Sequence, residues 1–80
     1  MTPAQSRSAR ALLNLTQPQL AKAADVGLST IVDFERNRRQ VSPQAVAAIA
    51  VALQRKGVVF IDDNGGGGEG VRLRHSRKRK

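Results

Sequence analysis

The 80-residue sequence contains no cysteine, which excludes disulfide bonds and thiolate metal sites. It also has no Trp or Tyr, and Phe34 and Phe60 are its only aromatic residues. The longest unbroken apolar run, residues 45–53, has nine members, far fewer than the ~20 that cross a bilayer, and the first residues lack the pattern of a secretory signal. We therefore expect one small domain in the cytoplasm, with a mostly helical core of Ala, Val, Leu and Ile.

Acidic residues are scarce. Six Asp and Glu against fourteen Lys and Arg give a formal net charge of +8, which favours a polyanionic partner. The excess is concentrated in residues 72–80, which hold six basic side chains and no acidic one; the remaining chain has eight basic and six acidic residues, a net charge of +2. Charge alone therefore does not assign a function, and the case for nucleic acid depends on where the basic residues lie.

Start and stop signals predict four helices. Three of them begin with a Thr or Ser able to cap the helix and a proline in the first turn: Thr2, Thr16 and Ser42. The remaining helix, residues 29–36, follows a break at residues 25–27, so a turn of about four residues joins the second and third helices. Asn14 and Asn37 are suited to the left-handed conformation that ends a helix, and Gly57 ends the fourth.

Residues 58–61 are β-branched and aromatic, and residues 71–74 alternate apolar and basic, so both are predicted strands. A lone two-stranded hairpin is marginal in water, and we expect it to pack on the helices or pair with a second chain. The glycine run at residues 65–70 lacks the Lys and Ser/Thr of a phosphate-binding loop, so it is predicted to connect the strands. Residues 75–80 have nothing to bury and are expected to be disordered.

One ordered set of residues resembles the helix-turn-helix of the phage repressor and Cro family, also called the xenobiotic-response-element type of bacterial regulator. The matching residues are Thr16-Gln17-Pro18-Gln19-Leu20-Ala21, Val26, Ser29-Thr30-Ile31 and Phe34-Glu35-Arg36-Asn37. The resemblance extends from about residue 10 to residue 53.

The resemblance to this family implies a mainly α fold, with a four-helix repressor-like domain in residues 1–57. Residues 58–74 would add a short β-hairpin or strand pair as a candidate dimer contact, and residues 75–80 a basic tail.

The function implied by the resemblance is sequence-specific binding of double-stranded DNA by a transcriptional regulator at the nucleoid. A recognition helix, residues 28–36, would enter the major groove, and two half-sites would require a homodimer. The residues expected on the outward face of this helix are Leu28, Ser29, Val32, Asp33 and Arg36, and the N-terminal part of the helix is expected to meet base edges. Ser29 can hydrogen-bond several bases, Leu28 and Val32 suit a thymine methyl group, and Asp33 can accept from a cytosine amino group. Alternatively, Leu28 and Val32 belong to the core.

Other positions of the resemblance carry supporting roles. Gln17 is expected to meet a phosphate at the start of the second helix; its alternative role is to cap Thr16. Arg38 and Arg39 are expected to contact phosphates, and the alternative is that they are simply solvated. Arg10 and Glu35 are predicted to form an ion pair with a structural role. Asp25 and Gly27 depart from the family pattern, which places a glycine and a Ser or Thr cap at these positions.

We expect no enzyme activity, metal, cofactor, small-molecule substrate or membrane partner. His75 is the only histidine, and no arrangement of Ser, His and Asp or of paired carboxylates suggests catalysis. Two other functions remain open at this point. One is a protein-interaction module of the antitoxin kind; the other is a nucleic-acid-binding protein that uses its basic tail, residues 77–80, without sequence preference.

Overall fold

The computed structural model describes residues 1–76 and contains four helices followed by a β-hairpin. The elements are α1 (Pro3–Leu13), α2 (Gln17–Ala24), α3 (Leu28–Glu35), α4 (Pro43–Lys56), β1 (Val58–Ile61) and β2 (Gly70–Leu73). The predicted mainly α architecture is confirmed. Most of the predicted basic tail, residues 77–80, lies outside the described residues.

The predicted caps form at the starts of three helices. The Thr2 hydroxyl oxygen accepts a hydrogen bond from the Gln5 backbone N–H, and the Thr2 backbone N–H donates to the Gln5 side-chain oxygen. Thr16 and Gln19 form the same reciprocal pair at α2. Ser42 caps α4, whereas Gly27 gives α3 no side-chain cap. Because Gln19 closes the capping box at Thr16, the alternative assignment of that role to Gln17 is wrong.

Residues in the left-handed backbone conformation end three of the helices and turn the chain just beyond α3. Asn14, Asp25 and Asn37 have φ values of 54°, 57° and 56°, a region in which Asn and Asp are the best tolerated residues after glycine. Gly57 ends α4 at φ 117°. Asp25 ends α2 in this left-handed conformation. Only the three residues 25–27 separate α2 from α3, one residue fewer than the sequence predicts.

The core consists of apolar side chains, all but Phe34 small or branched, from all four helices, the α3–α4 loop and the first strand. Its buried members are Ala9, Leu20, Ala21, Ile31, Phe34, Val41, Ile49, Ala52, Leu53 and Val58. No helix within residues 1–76 has the length and hydropathy of a membrane-spanning segment.

The hairpin packs on the helices of its own chain. Val58 pairs with Leu73 and Phe60 with Val71, so these four side chains share one face, which lies against the core. Gln5 of α1 donates from Nε2 to the carbonyl oxygens of Ile61 (3.3 Å) and Gly70 (2.8 Å). The Gln5 side-chain amide therefore joins the two strands at the loop end of the hairpin, where Ile61 pairs with Gly70.

Candidate nucleic-acid interface

Helix α3 is amphipathic, and one of its faces is buried against the rest of the domain. Ile31, Phe34 and Glu35 are buried, and they fix the helix against the rest of the domain. The residues that the sequence places on the other side are exposed or half-exposed: Leu28, Ser29, Val32, Asp33 and Arg36. The arrangement presents a supported helix with an accessible face.

Leu28 and Val32 lie on this accessible side. Leu28 is 46% exposed, and Val32 is only partly buried. Neither belongs to the buried apolar cluster, so the alternative that they are core residues does not hold. Two apolar side chains on an accessible helix face are available for contact with a partner.

The buried face of α3 is organised around the carboxylate of Glu35, which is only 2% exposed. Arg10 of α1 forms an ion pair with it, with 2.7 Å between Nη2 and Oε1, and Arg10 Nε lies 2.9 Å from Oε2. Ser6 donates its hydroxyl to Oε2 at 2.6 Å, and Gln17 donates from Nε2 to Oε1 at 3.1 Å. One carboxylate therefore ties α1 and the start of α2 to α3.

Two opposing effects set the pKa of Glu35. Burial raises it, because the charged form loses its hydration, whereas hydrogen bonds from Arg10, Ser6 and Gln17 and the charge of Arg10 lower it. The pKa of Glu35 is lower than the ordinary glutamate value of 4.5, so the favourable contacts outweigh burial. Glu35 is therefore an anion at neutral pH.

Basic residues of α1 are also bonded to the backbone near α3 and α2. Arg7 donates from Nη1 to the carbonyl oxygen of Glu35, at the end of α3. Arg10 donates from Nη1 to the carbonyl oxygen of Leu15 at 3.2 Å. A cation at the C-terminal end of a helix also interacts favourably with the helix dipole. Arg7 therefore links α1 to the end of α3, and Arg10 links α1 to the residue before the N-cap of α2.

Gln17 is the first residue of α2 and is half-buried. Its bond to Glu35 orients the side chain at the N-terminal end of the helix. Backbone N–H groups at this end of a helix favour an anion. The structure thus gives Gln17 an internal partner that the sequence did not reveal, since the two residues are 18 positions apart.

The α3–α4 loop returns toward the accessible side of α3. Asn37 turns the chain with its positive φ, and the Arg38 N–H donates to the Asp33 carbonyl oxygen at 2.9 Å. The Arg39 Nε then lies 2.8 Å from Asp33 Oδ2 in an ion pair. The pair is not among the sequence predictions, although opposite charges on either side of the end of a helix are a usable signal.

The loop of the hairpin has a different character. The N–H groups of three loop glycines have acceptors within the loop: Asp63 accepts from Gly65, and Asn64 accepts from Gly66 and Gly67, at 2.7 to 3.0 Å. The loop is the connection between the strands that the sequence predicts. Its glycine N–H groups bond within the loop and its carboxylates are negatively charged, so it does not favour an anion. Within residues 1–76, no group of three or more His, Cys, Asp or Glu side chains is arranged to hold a metal ion.

The sequence of these helices matches a known protein family. The sequence profile of the helix-turn-helix family matches residues 7–60. This range covers all four helices apart from the first turn of α1, and most of β1. No curated protein matches the chain.

Proposed function

Since this chain belongs to the helix-turn-helix family of DNA-binding regulators, we propose that it recognises specific sequences of double-stranded DNA and regulates transcription. Helix α3 is proposed to enter the major groove, which is ~12 Å wide and admits a helix. The observation that carries this proposal is the division of α3 into a buried face and an accessible one. In helix-turn-helix proteins the second helix of the motif reads base edges from such a position.

The proposed roles follow from chemistry and placement. Ser29 is exposed near the start of α3 and can hydrogen-bond a base, while Leu28 and Val32 suit the methyl group of thymine. Arg36 and Arg38 are exposed at the other end of α3 and are proposed to contact the sugar-phosphate backbone, which positions the domain without reading sequence.

A phosphate contact is also proposed for Gln17. The N-terminus of α2 favours an anion, and the bond from Gln17 to Glu35 places that side chain between α2 and the recognition helix. A phosphate bound at Gln17 would therefore fix the angle at which α3 meets the groove.

The charge distribution supports the same side of the molecule. Arg36, Arg38 and Arg39 cluster around the end of α3. Of the six acidic residues, three are in the hairpin loop, at residues 62–69, and Glu35 is buried and neutralised by Arg10. Asp33 offsets one of the three arginine charges, and the other two leave the accessible side of α3 locally basic although residues 1–71 as a whole carry little net charge.

A homodimer is part of the proposal, because two half-sites about one DNA turn apart require two copies. The outer face of the hairpin is the proposed contact, since Ile61 is exposed there while Val58 is buried in its own domain. Sedimentation of Ile61→Asp at tens of micromolar should show weaker association than the wild-type protein. Equal association constants would reject this contact. Deleting the hairpin is unsuitable, because it would remove Val58 from the core.

The test of sequence recognition is a selection of duplexes from a random pool, followed by binding measurements at fixed salt. We expect an enriched sequence and NMR shift changes along α3 on adding it. Ser29→Ala should alter base preference, whereas Arg38→Ala should weaken all duplexes alike. Arg72→Ala is the matched control, an exposed arginine on β2.

Two outcomes would contradict the proposal. If no duplex is enriched and deletion of residues 77–80 abolishes binding, the tail acts without sequence preference. If the DNA perturbs signals outside α3 and leaves α3 unchanged, another surface binds it.

A further inference from the structure

We propose that Asp33 does not itself read a base but positions Arg39, whose guanidinium then hydrogen-bonds a guanine in the major groove. The inference rests on the proposed function, because it requires α3 to lie in that groove. It replaces the two separate expectations of the sequence, a cytosine contact by Asp33 and a phosphate contact by Arg39.

The backbone and the side chain of Asp33 both hold the loop that carries Arg39. Its carbonyl oxygen accepts from the Arg38 N–H, and its carboxylate accepts from Arg39 Nε at 2.8 Å. The positive φ of Asn37 makes this return possible. The two side chains are nevertheless accessible, with 52% of Arg39 and 23% of Asp33 exposed. The pair is therefore ordered at the surface rather than enclosed.

Placement decides which DNA groups the guanidinium meets. Asp33 lies one helical turn after Ser29, so the two residues share the accessible side of α3. By bonding to Asp33, Arg39 is drawn from the loop onto that side. An arginine held on the face that enters the groove lies nearer to base edges than one that extends sideways from the loop.

The fork geometry of arginine allows two partners at once. Asp33 occupies Nε, and within residues 1–76 the Nη1 and Nη2 groups of Arg39 have no hydrogen-bond partner. Two parallel N–H donors match the O6 and N7 acceptors of guanine. One edge of the guanidinium is thus held by protein while the other remains available for a base.

Charge distinguishes Arg39 from its neighbour. The Asp33 carboxylate balances the guanidinium charge, so the pair attracts phosphate weakly but keeps its N–H donors for a neutral acceptor. Arg38 forms no ion pair with the residues that the structure describes and keeps its full positive charge. We therefore assign the phosphate contact to Arg38 and the guanine contact to Arg39.

The experiment uses the full chain and the duplexes that the wild-type protein enriches from a random pool. Arg39→Ala should lower the preference for one G·C pair by roughly 5- to 100-fold, the range for one good bidentate base contact. Asp33→Ala should remove most of the same preference, and the double variant should be no worse than Arg39→Ala. Arg38→Ala is the control: it should weaken all duplexes and reduce the salt slope by about one.

Asp33→Ala should also show the charge effect. Once the carboxylate is gone, Arg39 attracts phosphate, so binding to unrelated duplexes should become tighter and more salt-dependent. A contact of Asp33 with cytosine would give a different result, namely loss of preference at a C even in the Arg39→Ala background. That result would overturn the inference.

The proposed function and the role of Arg39 can be refuted separately. If the wild-type protein enriches no duplex, the proposed function fails and this inference with it. If it enriches one and Arg39→Ala keeps the whole preference, only the role of Arg39 is refuted. Circular dichroism melts check that the variants are folded, which we expect because an exposed ion pair contributes little to stability.

Discussion

Replacing Glu35 by Gln should destabilise the domain strongly, because this carboxylate of α3 is the common acceptor for donors from α1 and α2. The change keeps the shape of the side chain, but it replaces the charged carboxylate that accepts hydrogen bonds from Ser6, Arg10 and Gln17 with a neutral amide. Arg10 would then lack its counter-ion while its own side chain is only 20% exposed. A buried cation without a partner is a large cost even though an intact buried pair contributes little net stability.

The magnitude follows from the burial of the pair. Removing one partner of a fully buried pair costs about 3–5 kcal/mol, and the partial exposure of Arg10 places this case near the lower end, at about 3 kcal/mol. A chain of this length has a total stability of roughly 4–12 kcal/mol, so the loss is a large fraction of it. The melting temperature should fall by roughly 12–24 °C.

Urea unfolding measures the effect, and a double-mutant cycle with Arg10→Met isolates the pair. If the two residues stabilise each other, the double variant should lose much less than the sum of the two single variants. The control is Glu69→Gln, an exposed carboxylate in the hairpin loop, which should change stability by less than ~0.5 kcal/mol. A Glu35→Gln loss below ~1 kcal/mol, or additive single effects, would refute the reasoning.

Three further predictions concern other parts of the chain. Because the pKa of folded Glu35 lies below 4.5, the wild-type unfolding free energy should decrease as the pH falls from about 4.5 through that lower pKa; a Glu35→Gln variant that retains the same acid dependence would contradict this. Gln5→Ala should cost about 1–3 kcal/mol and speed hydrogen exchange in the hairpin, since its bonds to both strands are lost; the control Gln44→Ala should change neither. Gly57→Ala should cost about 1–2 kcal/mol by thermal melting, because φ is 117° although space is available for a methyl group; unchanged stability would show that the chain relaxes there.

The starts and ends of the helices could be predicted from the sequence because they depend on near neighbours. Thr16 caps α2 through a residue three positions away, and Asn14 and Asp25 adopt the left-handed conformation that their side chains tolerate. The amphipathic pattern of α3 likewise follows from its own eight residues. Such signals act over one helical turn, so they can be recognised without knowledge of the packing.

The polar contacts between elements were decided by the tertiary structure. Gln5 belongs to the capping box of α1, yet it also bonds to carbonyl oxygens 56 and 65 positions later. Gln17 meets Glu35, and Arg39 meets Asp33, because the helices and the returning loop bring them within hydrogen-bond distance. A hydrogen bond requires its two atoms within a few tenths of an ångström of the ideal separation, and only the packed arrangement of the helices sets distances of that kind between residues far apart in the chain.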